Sequence, residues 1–195
     1  MNVWGKVKNV TLGGMFIGAM MIASTTTMTG CLTDDKKDSV VTPVDKSIKL
    51  TGEKTADTVW NLQGKYHGAF DLSNGVSVAS TGAAADKHLL DLSTLTNLDA
   101  NGKVIFPKTW TSGNGTMFVK AAAGFDYANA TDSSVIKAYK AGTAVAITPV
   151  LAKNDVIIAN LKGTSTKYAV ILITDVVVTD ADNNDYIMFS YKQTP

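Results

Sequence analysis

The chain has no arginine, one glutamate and one cysteine. Every cation among its 18 basic residues is therefore lysine. The planar guanidinium fork that clamps phosphates and stacks on bases is missing. The lysines are scattered and nearly matched by 17 acidic residues, giving a net charge of +1. Without a basic stripe there is no electrostatic footprint for nucleic acid. With Glu53 as the only glutamate, helix-favouring charged residues are scarce. Abundant Gly, Thr, Ser, Ala and Asn point instead to short strands and many turns. The lone Cys31 excludes a disulfide within the chain.

What is present supports a folded domain. Apolar residues make up 45% of the 195 positions, enough for a packed core and against wholesale disorder. That length predicts one main domain with room for a leader and a linker.

Residues 1–30 read as an export signal. Lys6 and Lys8 form a short positive region, Val10 to Ala23 an apolar run, and "STTTMTG" a small polar segment before Cys31. An uncleaved anchor helix is the competing reading. The run is Gly-rich and falls short of the about 20 apolar residues a span needs. Met28-Thr29-Gly30-Cys31 resembles the bacterial lipobox, with Met28 where Leu is frequent. The resemblance implies that Cys31 is the lipidated first residue of the mature protein. A reactive thiol, a metal ligand and a buried core residue are the other readings. The two histidines, His67 and His88, lie far along the chain from Cys31, and its neighbours are Thr, Ser and "DDKKD".

"LTDDKKDSVVTPVDKS" is polar, aperiodic and contains Pro43, so residues 31–47 read as a flexible tether. Leu32, not Asp, follows the cysteine. By resemblance to bacterial sorting rules, this implies the outer membrane, facing either the periplasm or the cell exterior.

Residues 48–193 form the expected domain. Asn74-Gly75 between alternating apolar residues is a hairpin signal. Strands are expected at "TVWNL", "YHGAFDL", "VSVA", the start of "KHLLDLS", "KVIF" before Pro107, and "TMFVKA". One helix is expected, capped by Thr131 or Asp132 and stopped by Gly142. "DVIIA", "KYAVILITDVVV" and "DYIMFSYK" read as an antiparallel meander. The second is apolar on both alternating sets, so it belongs at a sheet centre. The predicted class is mainly β, an antiparallel sandwich or partly closed barrel with one short helix.

Chemistry-bearing residues are few. Histidine is the usual proton carrier near neutral pH, so His67 and His88 come first. His88 with Asp86 or Asp91 is the one arrangement that suggests a small hydrolase. No Gly-x-Ser-x-Gly elbow and no Gly-rich phosphate loop accompanies it. "DADNNDY" (180–186) echoes the start of a calcium loop. Asp185 replaces the required Gly, however, and Tyr191 stands where the closing Glu belongs, so no metal is expected. Trp60, Tyr66, Trp110 and Phe125 can serve a sugar-stacking pocket or the core.

"FDLSNGVSV", "SGNGTMFV…GFDYANAT" and "KYAVILI…DYIMFSYKQ" are similar to segments of the HmuY-like outer-membrane lipoproteins, over most of residues 66–193. The resemblance implies an all-β fold that carries haem between two axial His or Met side chains. His67 and His88 are the candidate ligands, and Met117 and Met188 are further soft donors. The expected function is thus a lipid-anchored, non-enzymatic binding or adhesion domain, held to the membrane by its N-terminal lipid. Its partner would be a small ligand or another surface molecule. A haem carrier and a small hydrolase are the alternatives.

Overall fold

The computed structural model describes residues 49–79, 81–163, 166–179 and 182–195. The leader, Cys31 and the tether lie outside these residues, as does Asp180 of the acidic loop.

Two antiparallel sheets carry the fold. The larger contains β1 (Lys54–Trp60), β6 (Met117–Lys120), β7 (Val156–Asn160), β8 (Tyr168–Val177) and β9 (Tyr186–Gln193), in the order β1-β9-β8-β7-β6. The smaller contains β2 (Ala69–Asp71), β3 (Val76–Val78), β4 (Leu89–Asp91) and β5 (Trp110–Thr111), in the order β3-β2-β4-β5. Neither sheet closes on itself, so the molecule is a sandwich and not a barrel.

Alternation along the strands decides which side chains go where. Ile157, Ala159, Ala169, Ile171, Ile173, Ile187 and Phe189 of the larger sheet meet Phe70, Leu89 and Trp110 of the smaller in one buried cluster. The rings interlock edge to face, Phe70 at 5.1 Å and Trp110 at 5.4 Å from Phe189. The intervening residues Ile158, Tyr168 and Val170 turn to the other face, where the helix covers them. That is why β8 is apolar on both alternating sets: it is the middle strand, covered on both sides.

The helix, α1 (Asp132–Ala141), starts where its chemistry dictates. Thr131 Oγ1 accepts from the Ser134 N–H, and Ser134 Oγ accepts from the Thr131 N–H. This reciprocal cap satisfies two of the free N–H groups at a helix start. Val135 is its buried contact with the sheet, supported by Ile136, Ala138 and Tyr139.

Two local expectations differ from the structure. "KVIF" makes only an isolated bridge, Leu98 to Val104, because Pro107 follows and Ile105 turns to solvent. The Asn74-Gly75 hairpin is not a tight two-residue turn. Asp71 pairs with Val76, leaving Leu72 to Gly75 as the loop. Asp71 Oδ1 accepts from the backbone N–H of Ser73 (2.8 Å) and of Asn74 (3.2 Å), and Oδ2 accepts from the Asn74 amide. An aspartate at the strand end thus supplies the acceptors for a wider turn. Gly75 closes it at φ +70, where an added Cβ would lie 2.3 Å from Lys54 Nζ.

Candidate functional site

That wider turn builds the most chemically loaded place in the molecule. His88 precedes β4, and its N–H donates to Phe70 O at 3.1 Å. The β2–β4 register, Phe70 opposite Leu89, therefore sets Asp71 opposite His88. His88 Nδ1 lies 3.2 Å from Asp71 Oδ1, with the two side chains 1% and 3% exposed. On the other side of the ring, Nε2 lies 3.3 Å from Ser73 Oγ. Serine, imidazole and carboxylate stand in line, with Ser73 exposed at the outer end.

The alignment is imperfect at its inner end. Nδ1 is within ion-pair distance of Asp71, yet it is not aimed well enough at it for a directed hydrogen bond. Burial pushes the imidazole below its ordinary pKa. Asp71 opposes that shift and the nearby Lys162 charge adds to it. His88 is consequently a neutral base at pH 7.

A cavity of about 300 Å³ opens over this ring. It is lined by Ser73, His88, Leu161, Lys162, Lys167, Gln193 and Thr194. Each lining group has a structural reason for its place. Lys162 sits at φ 57 in the single 3-10 turn after β7, where its N–H donates to Thr116 Oγ1 at 3.1 Å. Lys167 O accepts from Leu161 N at 2.9 Å, closing the β7–β8 connection. Thr194 Oγ1 accepts from Tyr168 N at 2.9 Å, tying the C-terminal end to β8. Tyr191 Oη donates to Leu72 O at 3.0 Å, and the Gln193 amide donates to the same oxygen. These two bonds pin the Ser73 turn onto β9. Burial and the Asp57 and Asp71 charges hold the Tyr191 phenol well above its usual pKa, so it stays a donor.

Larger hollows of about 460 and 520 Å³ flank the 95–106 loop. Neither holds a buried titratable group. The His88 cavity is the better candidate because its floor carries one.

The structure brings together some of the residues picked out by sequence and separates others. His88 is in the cavity, but the acids proposed for it are not its partners. Asp86 ends a 3-10 turn; it meets the ring through a backbone hydrogen bond, and its carboxylate charge is the weakest of the influences on the imidazole. Asp91 stands three positions from His88, so strand alternation turns it away. Its Oδ2 accepts from the N–H groups of Leu62 and Ser93, each at 2.9 Å. Asp71 and Ser73 take the places next to the imidazole. A strand-end aspartate two residues before a turn serine is the sequence signal, and it is indistinguishable from ordinary turn grammar.

His67 is exposed on the β1–β2 connection. Gly68 O accepts from Asp91 N, so His67 falls opposite Leu92, four positions from His88. At ~3.3 Å per residue that is about 13 Å along the strand. His67 is exposed and His88 is buried, so the two rings have different surroundings. Met117 on β6 and Met188 on β9 are separated by β7 and β8. Among the described residues no three His, Cys, Asp or Glu side chains group as a metal site.

The four singled-out aromatics part company. Trp110 is fully buried in the core, and Phe125 packs in the helix-side cluster. Trp60 and Tyr66 meet at 4.2 Å near the surface, and Tyr186 joins Trp60 at 4.6 Å. Asp185 of the acidic loop is fully buried and already engaged. It accepts from Asn61 Nδ2 at 2.8 Å and Thr179 N at 2.7 Å, with Lys103 Nζ at 3.7 Å. Its carboxylate ties three loops together.

Asp91 gives a pH-dependent prediction. Burial raises its pKa, against the hydrogen bonds from Ser93 and Leu62 that lower it. A carboxyl whose folded pKa exceeds its unfolded value near 3.8 costs stability as pH rises through the folded value. Asp91→Asn keeps an acceptor for the two N–H groups and removes the buried charge. Its melting temperature is expected to exceed the wild type's at pH 7. The difference should shrink as pH falls toward 3.8, as followed by thermal melts across pH.

Comparison with protein-family models, with curated proteins and with solved structures found no match for this chain.

Proposed function

We propose that the protein is an outer-membrane lipoprotein held by a lipid on Cys31, whose β-sandwich binds a small anionic ligand in the cavity beside His88. One observation carries the binding half of this reading. Lys162, Lys167 and His88 line the cavity with the hydroxyls of Ser73 and Thr194, and no carboxylate is among the described lining side chains. Asp71 lies against Nδ1 of the imidazole, 3.2 Å away. A concave site with two ammonium groups and one apolar wall, Leu161, favours a small carboxylate or phosphate compound. The volume of about 300 Å³ limits the ligand to a small molecule.

A thermal-shift panel of small mono-, di- and tricarboxylates and phosphate esters tests this on the detergent-solubilised protein. At least one anion should raise the melting temperature in proportion to its binding. Lys162→Glu should then weaken that anion about 10-fold or more, since each ammonium–carboxylate pair at ~4 Å is worth about 1 kcal/mol even in water. Stabilisation by no anion, or by neutral compounds regardless of Lys162, overturns the reading.

A further inference from the structure

We propose that Ser73 is a nucleophile, activated by His88 and Asp71, that takes an acyl group from small carboxylic esters entering the same cavity. This goes beyond binding and rests on the cavity being the place where the ligand sits.

The geometry supplies the parts that acyl transfer needs. Ser73 Oγ is 3.3 Å from His88 Nε2, and Asp71 Oδ1 is 3.2 Å from Nδ1 on the far side of the ring. Without a directed hydrogen bond, the nearby carboxylate charge still favours the tautomer with the proton on Nδ1, which leaves Nε2 to accept. Ser73 is exposed while His88 is buried, so the hydroxyl meets solvent and its base is shielded from it. The fold does not require this hydroxyl. The turn uses the Ser73 backbone N–H for its bond to Asp71, and Oγ is turned to the imidazole instead. Lys162 and Lys167 line the same cavity, giving positive charge to the oxygen that turns negative in the tetrahedral intermediate.

The step balances within these groups. Ser73 Oγ bonds to the acyl carbon as its proton moves to His88 Nε2. The bond from that carbon to the alcohol oxygen breaks, and the leaving alcohol takes the proton from Nε2. A water then attacks the acyl-serine, passes its proton through His88 back to Ser73 Oγ, and the carboxylic acid leaves.

The test treats the full chain, purified in detergent, with an alkyl fluorophosphonate probe. The adduct is then located by peptide mass mapping. The probe's phosphorus stands in for the acyl carbon, and fluoride for the leaving alcohol. Ser73 should carry the adduct, and p-nitrophenyl acetate hydrolysis should be detectable. Ser73→Ala should abolish both. His88→Gln should slow labelling at Ser73 by about 100-fold or more, as general-base catalysis contributes ~10²–10⁴. Ser73→Ala changes an exposed side chain, so it keeps the test decisive even where the buried His88 variant fails to fold. No adduct on Ser73, or equal labelling in a folded His88→Gln, overturns the proposal. Anion-induced thermal shifts in the wild-type protein separate the two ideas. Intact shifts without labelling of wild type leave a pure binding site, and loss of both removes the cavity's role altogether.

Discussion

Replacing Phe189 by Ala is expected to cost about 3–5 kcal/mol, the usual range for a buried Phe truncated to Ala. The side chain is fully buried on β9. Its ring centroid lies 5.1 Å from Phe70, 5.4 Å from Trp110 and 6.0 Å from Tyr191. Phe70 and Trp110 belong to the smaller sheet, so Phe189 joins the two layers. Removing it forfeits its own transfer energy and opens a cavity that three stiff rings cannot readily close. Net stabilities are about 5–15 kcal/mol, so the variant retains little margin. Urea unfolding of the purified protein measures this as a fall in midpoint at constant slope. Val150→Ala is the control: its side chain is 61% exposed, and the change should stay within about 0.5 kcal/mol. A Phe189→Ala loss below about 1 kcal/mol would mean that the two sheets do not share this core.

The second large effect concerns location, not stability. Cys31→Ala should move the protein from the membrane fraction to the soluble fraction and leave the β domain folded. Each buried methylene of an acyl chain contributes about 0.8 kcal/mol, and stable anchoring takes at least two chains. On the proposed lipidation that attachment runs through Cys31, so the expected change is near complete. Fractionation followed by immunodetection reads it, with incorporation of a labelled fatty acid into wild type as the direct check. Membrane retention of Cys31→Ala would favour Val10–Ala23 as an uncleaved anchor helix. Lipid incorporation at Cys31 would settle the anchor and leave the cavity's ligand an independent question.

His88 adds a measurable consequence of its burial. Its folded pKa lies below the ordinary 6.5, so the unfolded chain binds the extra proton first. Its neutral, buried state therefore destabilises the fold as pH drops below 6.5 toward the folded value, and has no such effect above it. This is the opposite window from Asp91, whose cost appears as pH rises.

The strands show how far local pattern reaches. "KYAVILITDVVV" is apolar on both alternating sets because β8 has a sheet neighbour on each edge and packed layers on both faces. No distant contact was needed to read that. The helix was equally legible, since Thr131 and Gly142 mark its ends and Val135 its buried side. "KVIF" departs from the strand expectation because a short β-branched run signals strand propensity, while pairing depends on whether an edge is available beside it. The Asn74-Gly75 turn was found, but its width was not. The Asp71 carboxylate adds acceptors that the Asn-Gly pair does not announce.

The sequence by itself determined the β class, the central strand and the capped helix. Each depends on residues near one another in the chain, so a periodic or positional signal carries it. Only the tertiary structure decided the cavity. Ser73 and Asp71 lie in a turn, His88 precedes the next strand but one, and Lys162, Lys167, Gln193 and Thr194 come from the other sheet's connections and end. Their meeting depends on the β2–β4 register and on the two Leu72 carbonyl bonds from Tyr191 and Gln193. Antiparallel pairing set Asp71 beside His88, and strand alternation turned the sequence neighbour Asp91 away.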